Sequence, residues 1–355
     1  MDSAKKNKKG LKIFLCILAA IVIIFAVLCA VYPHAAYMTF RNLTASEEKL
    51  PETDDWTGGT SYINVQYCDV SENDYVSIYV PDGVENPPLM VIVHGGGFVA
   101  DDNTNRASQH MYRYFRDHGF ACASVNYRLA QEAAYPAALE DVKSCIRYLK
   151  ANAGTYGYNA DNIAIFGESA GGYLACAAAL SNDDEFNSLP FIGEDEAVEP
   201  ISAEVDVLID FYGATYFRGV DEYWAELKMP KIIVNIANSW LSGDVLEGWS
   251  NVESFWLRKE LDSLTDEEYR GICMTGFIED NLPERDDLAI WISHGDCDIT
   301  VPMLVSQHFY DELSAVMDPD DLYFNIVHNA GHAKDLMFTD TELKAVEEFT
   351  LAHFN

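Results

Sequence analysis

One serine lies in a glycine-rich run near the middle of the chain, residues 167–172 (GESAGG). Residues 161–166 (DNIAIF) before it have the apolar pattern of a short buried strand, and residues 173–180 (YLACAAAL) after it are typical of a closely packed helix. A G-x-S-x-G turn between a strand and a helix is so tight that only small neighbours fit, and it exposes the serine hydroxyl. The pattern therefore predicts a nucleophile at Ser169.

A serine hydroxyl is unreactive at neutral pH unless an adjacent base takes its proton. Three other motifs could complete this chemistry, and each follows a predicted buried strand: HGGGF at 94–98, HGDCDITVP at 294–302 and HNAGH at 328–332. Glycines allow backbone N–H groups to point at a developing oxyanion. The chain order of glycine loop, Ser, Asp and His is the order expected of an α/β-hydrolase fold.

With these motifs the chain resembles the bacterial esterase/lipase group related to hormone-sensitive lipase, within the α/β-hydrolase superfamily. Residues 126–130 (NYRLA) and 135–141 (YPAALED) are similar to the Y-R-L-A-P-E…P-A…D segment of that group. Gln131 stands where the group usually has Pro, and GESAGG replaces the commoner GDSAGG. The resemblance extends from about Tyr62 to the C-terminus and implies a serine carboxylesterase.

The triad that we predict is Ser169, Asp298 and His332. His332 would take the proton of Ser169 and later return it to the leaving alcohol, while Asp298 would fix the imidazole tautomer and stabilise its charged form. Asp296 and His328 are the competing candidates. The resembling H-G-x-x-D-x-x-V-P pattern uses the later Asp, and the glycine before His332 suits an exposed loop.

The oxyanion of the tetrahedral intermediate requires backbone N–H donors, each worth about 3–4 kcal/mol. We predict the N–H of Ala170 as one donor, and the resemblance points to Gly96 and Gly97 as the others, although physical reasoning alone leaves Gly95 open. Four residues are expected to support the site structurally: His94, Gly95, Gly167 and Gly171. No metal-ligand spacing and no phosphate-binding loop is present in the sequence, so we predict neither a metal nor a cofactor.

Strand-like and helix-like segments alternate from residue 88 onward, which predicts a mainly parallel sheet flanked by helices. Two strand-like segments within residues 61–80 predict an antiparallel edge. Residues 212–287 form a connection between core strands that is far longer than most. Because it enters the fold beside the strand ends that carry the triad, we predict a helical lid over the active site. An ordinary helical excursion packed on the sheet is the alternative.

The N-terminal residues have the pattern of a membrane anchor. Residues 11–32 are apolar apart from Lys12 and are long enough to span a bilayer at about 1.5 Å per residue. Most nearby Lys and Arg residues precede this segment, so the positive-inside rule places the N-terminus in the cytoplasm and the enzyme outside the cell. A cleaved signal peptide is the main alternative. The resulting domain prediction is a basic tail (1–10), an anchor (11–32), a linker (33–60) and a hydrolase domain (61–355).

The chain of 355 residues has a formal charge of −34. Five Lys and one Asp lie in residues 1–12, so the remainder has a formal charge of −38. Such a surface makes nucleic acid a poor partner. The cysteines are dispersed, without a C-x-x-C motif, and the sequence leaves a Cys273–Cys297 bridge open.

The function that these features favour is a membrane-anchored serine carboxylic-ester hydrolase. Its expected substrates are neutral esters with short, acetyl-like acyl groups, carried by small molecules or glycans. An exopeptidase or amidase could use the same triad on a different bond. A non-catalytic esterase-like adhesion module is the third reading, but its usual mark is a lost nucleophile or histidine, and both residues are present here.

Overall fold

The computed structural model describes residues 19, 23, 26, 29–47, 49–51, 55–194, 200–239, 246–282, 285 and 287–354. Its strands are β1 (Gly59–Gln66), β2 (Tyr75–Pro81), β3 (Pro88–Val93), β4 (Ala121–Val125), β5 (Asn159–Glu168), β6 (Val207–Phe211), β7 (Ala289–Gly295) and β8 (Leu322–Val327). They form one sheet in the order β1-β2-β4-β3-β5-β6-β7-β8. Both contacts of β2 are antiparallel, and all the others are parallel. The predicted mainly parallel sheet with an antiparallel edge is confirmed.

The described helices are α1 (Pro33–Thr44), α2 (Arg106–Asp117), α3 (Ala137–Tyr156), α4 (Ala170–Leu180), α5 (Val220–Glu226), α6 (Lys231–Ala237), α7 (Val252–Leu257), α8 (Asp266–Arg270), α9 (Met274–Asn281), α10 (Met303–Leu313) and α11 (Asp340–Ala352). Short 3₁₀ turns occupy Leu261–Ser263 and Asp335–Phe338. One apolar cluster packs α3, α4, α9 and α10 on one face of the sheet, and a second packs α2 and α11 on the other. The inner strands are thus buried on both faces, as their near-continuous apolar sequences require, whereas the edge strands β1 and β8 are partly exposed.

The parallel strands bring distant parts of the chain to one edge of the sheet. Strands β3, β5, β7 and β8 run in the same direction, so their carboxyl ends lie side by side. The loops or turns after these ends carry the glycine motif, Ser169, Asp298 and His332. In open α/β sheets this edge is where ligands bind.

Two segments differ from the sequence-based expectation. The predicted linker contains α1, whose side chains Ala35, Ala36 and Met38 are buried. Strand β5 (Asn159–Glu168) extends beyond the predicted residues 161–166 at both ends.

Among the described residues, no helix has the length and apolarity needed to cross a membrane. The predicted anchor of residues 11–32 lies mostly outside the described residues, which include only 19, 23, 26 and 29–32 of it. The sequence left a disulfide between Cys273 and Cys297 open. The structure does not form it, and both residues are free thiols.

Candidate active site

Ser169 sits at a sharp turn between β5 and α4. Its backbone φ of 55° and ψ of −119° are unusual for a residue with a side chain. A Cβ atom at Gly167 would lie 2.1 Å from the carbonyl oxygen of Gly171, and one at Gly171 would lie 2.3 Å from that of His94. Both glycines are therefore required by close packing of the turn, in the supporting positions that the sequence predicts for them.

The three predicted triad residues form a continuous hydrogen-bonded chain. His332 Nε2 lies 3.0 Å from Ser169 Oγ, and His332 Nδ1 lies 2.6 Å from Asp298 Oδ2. The other carboxylate oxygen of Asp298 accepts hydrogen bonds from the backbone N–H groups of Thr300 (2.7 Å) and Val301 (3.0 Å). The acid is therefore held on both sides, and the imidazole is oriented towards the serine.

The protonation states follow from this geometry. Burial raises the pKa of Asp298, but the charge of His332 and hydrogen bonds from His294 and His332 outweigh it, so the pKa lies below its ordinary value. Burial lowers the pKa of His332, but the carboxylate of Asp298 outweighs it, so the pKa lies above its ordinary value. An ionised acid beside a readily protonated imidazole is the arrangement that a serine nucleophile needs.

The two competing candidates pair with each other instead. His328 Nδ1 lies 2.8 Å from Asp296 Oδ2, and the N–H of Asn329 donates to the other oxygen of Asp296 at 2.6 Å. The side chain of His328 is 79% exposed, whereas that of His332 is 16% exposed. The structure thus brings Asp298 and His332, rather than Asp296 and His328, to Ser169.

The glycine motif after β3 forms the wall beside the nucleophile. Gly96 has a φ of 100° and Gly97 a φ of 61°, both in the region that favours glycine. Gly97 and Ala170 line the same cavity as Ser169. The N–H of Gly95 donates to a carboxylate oxygen of Glu168 at 2.7 Å. Because that N–H is already occupied, the geometry favours Gly96 and Gly97 over Gly95 as oxyanion donors.

Glu168 is a site residue whose role the sequence pattern does not predict. Its buried carboxylate accepts hydrogen bonds from Gly95 and from Asn105 Nδ2 at 2.8 Å, and burial raises its pKa. It ties the nucleophile turn to the glycine loop. At the start of this loop, His94 stacks on Tyr127 with the ring centroids 4.3 Å apart, and Tyr127 donates to the carbonyl of His94 at 2.8 Å. The only sequence signal for Glu168 is a carboxylate inside an otherwise small-residue turn.

A cavity of about 400 Å³ opens over the nucleophile. Its floor includes Gly97, Ser169 and Ala170, and its remaining lining is Phe98, Ala214, Asn235, Asn238, Ser239, Leu246, Ser250, Asn251, Val252, Glu253, Thr300 and Val301. Most of this lining comes from residues 212–287, hereafter called the insertion. Within the described residues, no group of His, Cys, Asp or Glu side chains has the arrangement needed to hold a metal ion.

Asn238 and Glu253 are two of the polar, partly buried side chains that the insertion contributes to this lining. The Oδ1 atom of Asn238 is buried, and no hydrogen-bond partner for it lies within the described part of the chain. Burial raises the pKa of Glu253. Buried polar atoms in folded proteins nearly always have partners, so a partnerless acceptor beside a cavity is available to a ligand.

The chain is similar to known proteins in sequence and in structure. The BD-FAE family model matches residues 76–313. A probable carboxylic ester hydrolase, LipM of Mycobacterium tuberculosis, is 26% identical over 254 residues, which cover 70% of this chain and 50% of that protein. The acetyl esterase of Salmonella typhi is 31% identical over 126 residues, covering 35% of this chain and 36% of that one. The chain thus spans half or less of the length of these two relatives.

Solved structures share the fold at low sequence identity. A truncated form of a carbohydrate esterase from gut microbiota has a TM-score of 0.64 at 24% identity, covering 84% of this chain and 98% of that chain. A thermophilic esterase of Thermogutta terrifontis has a TM-score of 0.58 at 19% identity, covering 86% of this chain and 95% of that chain. With the family match extending over most of the sheet, the chain belongs to the BD-FAE family, of the α/β-hydrolase type.

Proposed function

We propose that the protein is a serine carboxylic-ester hydrolase with Ser169 as nucleophile, His332 as base and Asp298 as the orienting acid. The observation that carries the proposal is the chain of hydrogen bonds of 3.0 Å and 2.6 Å through His332. The similarity to proteins named carboxylic ester hydrolase and acetyl esterase supports the same chemistry.

The reaction follows from the positions of these groups. Ser169 Oγ attacks the ester carbonyl as its proton passes to His332 Nε2. The N–H groups of Ala170, Gly96 and Gly97 stabilise the oxyanion of the tetrahedral intermediate. His332 then returns the proton to the departing alcohol, and a water molecule, activated by the same imidazole, hydrolyses the acyl-enzyme. Asp298 stays ionised throughout, in keeping with its low pKa.

We further propose that the substrates are neutral esters with short acyl groups, on a small-molecule or glycan alcohol. The polar side chains of the insertion suit an alcohol that carries hydroxyl groups. The formal charge of −34 disfavours anionic substrates. The carbohydrate esterase among the structures of similar fold is in keeping with a glycan alcohol.

The location that we propose is the outer face of the cell membrane, with the chain held by residues 11–32. The support for this is the apolar sequence of those residues and the five Lys in residues 1–12. In intact cells, added protease should digest the hydrolase domain, and the protein should stay with membranes after a salt wash. A soluble form beginning near residues 31–37 would instead indicate cleavage.

The activity is tested by replacing the nucleophile in the full chain. Ser169→Ala should abolish both hydrolysis of p-nitrophenyl acetate and covalent labelling by a fluorophosphonate, while Ser263→Ala, at an exposed position of the insertion, should change neither. Labelling that persists in Ser169→Ala would contradict the assignment. A series of p-nitrophenyl esters from acetate to palmitate, with aminoacyl anilides alongside, separates a short-chain esterase from a lipase and from a peptidase.

A further inference from the structure

Residues 33–47, hereafter called the N-terminal segment, precede the family-matched part of the chain yet contact the loops that carry Asp298 and His332. We propose that this segment is a positioning element of the catalytic site, which holds the acid loop and the histidine loop at the separation that the triad needs. The inference rests on the proposed function, since it assigns those two loops a catalytic role.

The segment binds the acid loop next to Asp298. Asn42 Nδ2 donates to the carbonyl oxygen of Cys297, the residue that precedes Asp298. The same amide donates to the carbonyl of Met38 at 3.0 Å, which fixes its orientation. Met38 is only 1% exposed and belongs to the same apolar cluster as Cys297. The backbone of the acid loop is therefore held by both a hydrogen bond and apolar packing.

The segment binds the histidine loop on both sides of His332. Tyr37 donates its hydroxyl hydrogen to Asn329 Oδ1, three residues before the histidine. Glu47 forms an ion pair with Lys334, two residues after it. A Cβ atom on the intervening Gly331 would lie 2.3 Å from Asn42 Oδ1, so Asn42 would have to move if residue 331 carried a side chain.

One residue of the segment therefore reaches both loops. Asn42 donates to Cys297 in the acid loop and lies against Gly331 in the histidine loop. The two loops also contact each other directly, because the N–H of Cys297 donates to the carbonyl of Ala330 at 2.9 Å. The 2.6 Å hydrogen bond between Asp298 and His332 spans this junction. A displacement of about 1 Å at such a site can reduce the rate about 100-fold.

The segment is separate from the two main cores. Its residues Ala35 and Met38 pack with Trp224, Met229 and Ile233 of the insertion in a third apolar cluster. The two clusters that cover the faces of the sheet contain no residue of the segment. Weakening its contacts should therefore disturb the site while the sheet stays folded.

The test uses the full chain with substitutions at Asn42. Asn42→Ala removes the amide, and Asn42→Asp keeps its size but presents a carboxylate to the carbonyl of Cys297. Both should lower kcat for p-nitrophenyl acetate about tenfold or more, with KM within about twofold, because a misplaced triad slows chemistry rather than binding. Leu43→Ala is the matched control, because this neighbouring side chain is 81% exposed. It should leave both constants unchanged.

Two further readouts distinguish positioning from a loss of folded protein. Since Asp298 raises the pKa of His332, loosening the pair should move the acidic limb of kcat/KM to lower pH in Asn42→Ala. The rate of fluorophosphonate labelling should fall in parallel, and it needs no hydrolysable ester. Tyr37→Phe, which removes one hydrogen bond and keeps the ring, should show a smaller change of the same kind.

The inference is overturned if Asn42→Ala keeps both the wild-type kcat and the wild-type acidic limb. It is also overturned if activity falls only in proportion to the amount of folded protein, with the labelling rate of that folded protein unchanged. If Asn42→Ala does not fold, an unaltered labelling rate and acidic limb in Tyr37→Phe overturn it. If the wild-type chain is labelled by fluorophosphonate but hydrolyses no ester, the proposed substrates are wrong. The role of the N-terminal segment is then tested by the labelling rates of the variants.

Discussion

The carboxyl edge of the sheet and the insertion above it are built in different ways. At the edge, Ser169 and Asp298 follow buried strands, His332 follows the partly exposed β8, and the three residues hydrogen-bond to one another or to nearby backbone. The described helices of the insertion have only five to eight residues each, and a buried oxygen of Asn238 lacks a partner among the described residues. Helices this short are stabilised mainly by packing. The edge thus supplies the three residues of the proposed triad, and the insertion supplies most of the cavity lining beside them.

The largest effect should come from the acid at the edge. Asp298→Asn removes the charge that stabilises the imidazolium and favours the wrong tautomer of His332, so kcat for p-nitrophenyl acetate should fall about 10⁴-fold. Asp296→Asn is the matched control, because Asp296 pairs with the exposed His328 and an asparagine keeps an acceptor oxygen for the N–H of Asn329. Its kcat should stay within about threefold of the wild type. Equal losses of kcat in the two variants would contradict the assignment of Asp298 as the triad acid.

The second effect should come from the carboxylate that joins the turn to the glycine loop. Glu168→Leu leaves the N–H of Gly95 without its acceptor and frees the loop that presents Gly96 and Gly97. We expect kcat to fall about 10-fold to 100-fold with little change in KM, since loss of one oxyanion donor costs about 100-fold or more. Glu168→Gln, which keeps an acceptor oxygen, should lose less. A rise in KM alone would place Glu168 in substrate binding instead.

The triad residues could be predicted from the sequence, but some of the contacts around them could not. Ser169, Asp298 and His332 were predictable because each lies in a local pattern of strand, tight turn and small residues. The family resemblance pointed to Gly96, but the local pattern alone did not decide between Gly96 and Gly95, because that choice depends on Glu168 reaching across from another strand. Sequence reasoning also missed α1, because a helix with so few buried side chains has a weak pattern and gains its place by packing on loops remote in sequence.

The third effect should appear in the insertion and only for some substrates. Glu253 lines the cavity, so Glu253→Leu removes an acceptor for hydroxyl groups on the alcohol. We expect kcat/KM for a monoacetylated sugar to fall about tenfold, while that for p-nitrophenyl acetate stays within about twofold. Glu226→Leu, on the exposed part of α5, is the control for lost charge. An equal loss of kcat/KM with both esters would mean that Glu253 takes part in the reaction itself. It would contradict the division of roles between the edge of the sheet and the insertion.

The fourth effect is a pH dependence set at the edge. The base must be neutral to accept a proton, so kcat/KM should fall as pH decreases through the pKa of His332 in the free enzyme. Because Asp298 raises that pKa, the midpoint of the acidic limb should lie above the ordinary histidine value of about 6.5. Profiles of p-nitrophenyl acetate hydrolysis from about pH 5 to about pH 9 measure it. A midpoint below the ordinary value would mean that burial outweighs the carboxylate.

The smallest effect concerns charge around the cavity mouth. Outside residues 1–12 the formal charge is −38, and a negative potential lowers the local concentration of anionic substrates. A neutral ester should therefore have a higher kcat/KM than its succinylated counterpart at low salt. The difference should narrow as the Debye length shortens from about 30 Å at 0.01 M to about 8 Å at 0.15 M. Because Glu253 lines the cavity, Glu253→Gln should also reduce the difference in kcat/KM between the two esters at low salt. Glu226→Gln should reduce that difference less. If the ratio of kcat/KM for the two esters does not change with salt, the acidic residues contribute to solubility only. Direct contacts within the insertion would then select the substrate.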